Sequence, residues 1–121
     1  MVSEYSSGYP IGVFDSGVGG LTVLQELNRQ LPHEPVVYFG DTARLPYGKR
    51  SQTEIIEFVQ QILMWMQSQQ VKMVIMACNT SSALALDALR QKFDFPILGV
   101  ILPGARAAIR KGKRIGVIAT T

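Results

Sequence analysis

Three short polar segments follow apolar runs in this chain, and each carries side chains able to do chemistry. They are Asp15-Ser16-Gly17, Asp41-Thr42 with Pro46-Tyr47-Gly48, and Cys78-Asn79-Thr80-Ser81-Ser82. Cys78 is the one cysteine. A free cysteine is commonly a small buried hydrophobe. Cys78, however, closes an apolar run and precedes polar residues at a predicted helix start, where backbone N–H groups stabilise a thiolate. Such a thiolate can act as a nucleophile or as a general base. The single histidine, His33, lies in the Pro-flanked stretch LPHEP, in a connection that follows a helix, and reads as a surface-loop residue. No Cys–His dyad is therefore suggested, and base chemistry gains on nucleophilic attack. On the residues alone, the packed and the reactive readings of Cys78 both stand.

Asp15 is equally two-sided. It reads as a turn or helix-capping aspartate, or as the partner of a ligand's ammonium group. The glycines that follow it, Gly17, Gly19 and Gly20, bring to mind a dinucleotide loop, but the G-x-G-x-x-G pattern needs a glycine where Thr22 stands. They better suit a helix start whose backbone N–H groups face a small anion such as a carboxylate.

The elements that must position these segments alternate in type. Short apolar runs at 11–14, 36–40, 71–77, 96–101 and 114–119 read as five buried strands. Between the first two, Leu21, Leu24, Leu27 and Leu31 make a helical stripe. Ser51 and Glu54 have the spacing of a capping box. The helix they open carries Ile55, Val59, Ile62, Leu63 and Met66 on one face, widened by Phe58 and Trp65 as core packing. Further helices are predicted over 81–93 and 103–111, the last ended by Gly112. Strands alternating with helices point to an α/β fold, a parallel sheet flanked by helices. Ligands of such sheets bind beyond the carboxyl ends of the strands, and parallel strands bring all three polar segments to that one rim.

Composition narrows the class. With 121 residues, 47% hydrophobic and 17% charged, the chain has room for one ordinary core. No apolar run approaches membrane-spanning length, and MVSEYSSGY lacks the features of a signal peptide; a cytoplasmic protein with no membrane partner is expected. One cysteine and one histidine exclude a disulfide framework and a Cys/His zinc site. The basic cluster Arg106, Arg110, Lys111, Lys113 and Arg114 has no interleaved aromatics, so a helix-dipole role is expected for it and no nucleic-acid partner.

The motifs IGVFDSGVGGLTV (11–23), YFGDTARLPYG (38–48), MACNTSSA (76–83), PILGVI (96–101) and RIGVIAT (114–120) together resemble the N-terminal half of glutamate racemases. The resemblance runs from Ile11 onward. It implies two similar α/β domains with the site between them: the first here over residues 1–98, and an incomplete start of the second over 99–121. It implies Cys78 as one of two catalytic cysteines, with Asp15, Ser16, Tyr47, Gly48, Asn79 and Thr80 at the substrate. The implied reaction interconverts L- and D-glutamate without cofactor or metal, by thiolate and thiol on opposite faces, and supplies D-glutamate for peptidoglycan. A homodimer is an expectation for the full-length protein. The family's second cysteine, followed by Thr-His, has no counterpart in these 121 residues, so the chain alone is expected not to racemise. Two alternatives are a racemase of another acidic amino acid such as aspartate, and a non-catalytic carboxylate-binding domain.

Overall fold

The structure, a computed structural model, describes residues 8–119. Among them four strands form one sheet: β1 (Ile11–Asp15), β2 (Val36–Gly40), β3 (Met73–Met76) and β4 (Ile97–Gly99). The order is β2-β1-β3-β4, and every pair is parallel. The helices are α1 (Leu21–Gln30), α2 (Gln52–Ser68), α3 (Asn79–Leu84), α4 (Leu86–Leu89) and α5 (Ile101–Lys111), with two 3₁₀ turns at Thr42–Arg44 and Tyr47–Lys49. The expected α/β fold with a parallel sheet flanked by helices is what forms.

The period of two along each strand sorts the core. Phe14, Val74 and Met76 point to one face, where Ile55, Val59, Ile62, Leu63 and Met66 of α2 bury against them with Ala85 and Leu89. Ile11, Val13 and Ile75 point to the other, toward Val23 and Leu27 of α1. Close approach of α2 to the sheet depends on Gly12, where a Cβ would lie 2.7 Å from the Met66 sulfur. The helix starts as its sequence prescribes: the Ser51 hydroxyl accepts the Glu54 N–H at 3.2 Å, and the Glu54 carboxylate accepts the Ser51 N–H at 2.8 Å.

Several expectations change. The leucine stripe of α1 is only partly covered: Leu21 and Leu31 are exposed, and no residue of the helix is buried. A shallow groove of about 370 Å³ runs beneath it, lined by Thr22, Val23, Glu26, Leu27, Gln30, Leu31 and Ile75. Trp65 likewise sits at the border of the core, 38% exposed, with its ring 5.4 Å from that of Phe39. The single helix expected over 81–93 is two short ones, bent at the buried Ala85, and Leu86 then closes over Gly99. Helix α5 starts two residues earlier than expected, at Ile101. Pro103 thus falls in the first turn, where its missing N–H costs nothing. The fifth strand does not form. A strand needs a partner edge for its backbone groups; residues 114–119 pair with neither β2 nor β4, and Ile115, Val117 and Ile118 stand exposed. His33 is exposed in a turn, as expected.

Candidate active site

The winding of the sheet sets where the site lies. From β1 the chain moves to β2 on one side, then crosses back to β3 on the other, so the loops leaving β1 and β3 diverge. A crevice opens at such a switch point, beyond the carboxyl ends of the strands. The register makes those ends level: Asp15 is opposite Gly40, and Phe14 is opposite Met76. Asp15-Ser16, Asp41 and Cys78 all emerge there.

Cys78 is the N-cap of α3. Its Sγ accepts the Ser81 backbone N–H at 3.4 Å, and the thiol is directed at Ser16 Oγ, 3.6 Å away on the loop that follows β1. It is 5% exposed, at the upper edge of the main core. It is largely buried, and its thiol faces the loop that follows β1. Asn79 and Thr80 begin α3 directly after it, Asn79 exposed and Thr80 half-buried.

Asp15 is buried, and its Oδ2 accepts the N–H of Gly20 at 2.9 Å and of Gly17 at 3.3 Å. It organises its own loop in the manner of a turn aspartate. Gly20 is required by packing, because a Cβ there would stand 2.7 Å from Asp15 Cβ and 2.9 Å from the Tyr38 hydroxyl. Tyr38 donates to the Gly17 carbonyl at 3.4 Å, and burial, aided by the Asp15 charge, raises its pKa.

The segment after β2 folds back on the core. The Asp41 N–H bonds to the Asp15 carbonyl at 2.9 Å. Its buried carboxylate accepts the Tyr47 hydroxyl and faces Arg44 Nε at 3.4 Å. The Tyr47 ring is 2% exposed and lies 5.9 Å from that of Phe58, so this residue can reach a ligand only through its backbone. Gly48 beside it is exposed, with open space where a Cβ would be. Asp41 and Ser81 were placed on the rim from sequence, but the contacts of Asp41 with Tyr47 and Arg44, of Ser81 with Cys78, and of Phe58 with the loop were not. For Asp41, the sequence signal gave its place at the end of an apolar strand and not its contact with Tyr47.

Burial and then the Asp41 hydrogen bond push the Tyr47 phenol above the ordinary tyrosine range. The folded value exceeds the unfolded one, so the folded state holds this proton more tightly. The resulting stability is fully present below pH about 10 and is lost as pH rises through the folded value. Urea midpoints measured between neutral pH and pH about 11 are expected to fall at the alkaline end, and to fall less in Tyr47→Phe. Equal alkaline loss in both proteins would contradict this.

Among the described residues, no group of three His, Cys, Asp or Glu could hold a metal, and no helix is long and apolar enough to cross a membrane.

Residues 11–121 match the family described as Asp/Glu/Hydantoin racemase. A glutamate racemase of Trichormus variabilis is 76% identical over 111 residues, covering 92% of this chain and 38% of that protein. A glutamate racemase isoform from Bacillus anthracis aligns with a TM-score of 0.82 and 48% identity, over 85% of this chain and 39% of the other. The glutamate racemase of Francisella tularensis, solved in complex with D-glutamate, gives 0.78 and 44%, over 83% and 38%. The chain therefore spans well under half the length of these relatives. With the family pattern running from β1 to the last residue, and relatives this similar in sequence and fold, the chain belongs to the Asp/Glu/Hydantoin racemase family.

Proposed function

We propose that this chain is the N-terminal part of a glutamate racemase, with Cys78 as one of its two proton-transfer groups. The observation that carries the reading is the Cys78 thiol at the switch-point crevice, directed at Ser16 and capped by the Ser81 N–H. The 76% identity to a glutamate racemase supports the substrate. Residues 1–98 are assigned to the first domain and 99–121 to the start of a second, whose facing surface supplies the opposing thiol.

Inverting a stereocentre requires removing the α-proton from one face and returning one to the other. A lone acid/base group would restore the original configuration, and a single cysteine serves one face only. As the proton leaves, charge spreads into the substrate carboxylate, and fixed hydrogen-bond donors there lower the barrier. The Tyr47 and Gly48 backbone, Asn79 and Thr80 are assigned to the substrate's polar groups. Asp15, whose Oδ2 is held by Gly17 and Gly20, is assigned to the ammonium through Oδ1, with Ser16 beside the thiol. No cofactor or metal enters this scheme. A cytoplasmic enzyme supplying D-glutamate for peptidoglycan, dimeric at full length, completes the reading.

The test is incubation of the full-length protein with L-glutamate in D₂O, following optical rotation and loss of the α-proton signal. Racemisation with deuterium entering the product is expected. Turnover of aspartate instead would reassign the substrate, and binding of glutamate without exchange would leave a carboxylate-binding domain. The 121-residue chain by itself is expected to show no racemisation under the same conditions. Steady racemisation by it would refute the need for a second group.

A further inference from the structure

We infer that Asp41 is a positioning residue, holding the Tyr47–Gly48 backbone at the rim through the buried Tyr47 hydroxyl. The inference rests on the racemase reading for the identity of the ligand that this backbone meets. Of the loop over 42–50, Thr42, Ala43, Leu45, Pro46, Gly48 and Lys49 are exposed, whereas Tyr47 is buried in the core. The loop is thus held mainly through one ring and the cations beside it. The ring's hydroxyl ends on Asp41 Oδ2, and Arg44 Nε faces that same oxygen at 3.4 Å. Arg44 also lies 4.4 Å over the Phe58 ring, and Arg50 lies 5.3 Å from it, tying the loop to α2.

Asp41 is fixed in turn, since its N–H is bonded to the carbonyl of Asp15 at the end of β1. A chain of contacts therefore runs from the central strand through Asp41 to Tyr47 and on to the open Gly48 backbone. The Tyr47 hydroxyl donates to, and the Arg44 guanidinium pairs electrostatically with, a carboxylate that is almost wholly excluded from water, where a hydrogen bond to a charged acceptor is stronger than a neutral one. An amide at position 41 keeps the shape but loses the charge that serves both the Tyr47 hydroxyl and the Arg44 guanidinium. A loosely held 47–48 backbone would then cost substrate binding more than proton transfer.

The experiment compares full-length wild type with Asp41→Asn, Tyr47→Phe and the double variant. Two readouts are taken: hydrogen–deuterium exchange over 42–50, and glutamate racemisation kinetics. The expected result for Asp41→Asn is KM raised about tenfold with kcat within about threefold. Exchange should quicken over 42–50 but not in β1 or α2. Adding Tyr47→Phe to Asp41→Asn should change KM less than about twofold further, because the two side chains act as one unit. Unchanged exchange and unchanged KM in both single variants would overturn the proposal. A fall in kcat at constant KM would also overturn it, placing Asp41 in proton transfer instead. If Asp41→Asn does not fold, Tyr47→Phe breaks the same contact from the other side and decides the question. A wild type that fails to racemise glutamate would sink the racemase reading alone, and the exchange comparison would still decide the role of Asp41.

Discussion

Cys78→Ser in the full-length protein is expected to lower kcat for glutamate racemisation by about 10²–10⁴-fold, the usual worth of a positioned acid/base group. A serine hydroxyl does not ionise near neutral pH, so it cannot remove the α-proton as a thiolate can. The variant isolates chemistry from folding unusually well. Cys78 is the N-cap of α3 and accepts the Ser81 N–H through its sulfur. Serine is among the residues best suited to that capping role. The urea midpoint should therefore remain close to that of wild type while turnover collapses. Turnover within about threefold of wild type, with unchanged stability, would remove Cys78 from the reaction and return it to the packed reading.

The rim was legible from sequence because two simple rules meet there. Apolar runs alternating with helices imply parallel strands, and the polar residue that ends each run then falls on one edge. Asp15, Asp41 and Cys78 lie where that logic puts them. The capping box of Ser51 and Glu54 was equally legible, since it depends on residues three apart and on nothing distant. Long-range contacts were less legible. The turn signal at Pro46-Tyr47-Gly48 marks a loop, yet nothing local says that Tyr47 turns inward to meet Asp41 and Phe58. The stripe on α1 shows which side of the helix is apolar, but periodicity carries no information about how much of that side is covered. The same holds for residues 114–119, whose composition favours a strand while strand formation depends on a neighbouring edge. At Ala85 a helical pattern continues through a bend, because burial of Ala85 and closure of Leu86 over Gly99 are tertiary effects.

The largest stability effect is expected at Phe14, one residue before Asp15 on the central strand. Its side chain is fully buried, its strand is paired on both sides, and its carbonyl accepts the Ala77 N–H at 2.8 Å. Phe14→Ala should therefore cost about 3–5 kcal/mol, from lost transfer energy together with the cavity left behind. Against a total of about 5–15 kcal/mol for an ordinary domain, that is a large fraction. Phe14→Leu keeps most of the volume and should cost less than about 1.5 kcal/mol. Equilibrium urea unfolding gives both values, with the denaturant slope unchanged if only the native core is affected. A loss below about 1 kcal/mol for the alanine variant would mean that the core beneath the crevice collapses to fill the space. Phe14 opposes Phe39 and Met76 in the register, and the strands carrying those residues lead to Asp41 and Cys78. A cavity at this position lies beneath all three polar segments at once. At partial denaturation it should therefore loosen the Cys78–Ser16 contact and the Asp15 loop together, because each hangs on a strand end that Phe14 helps to hold.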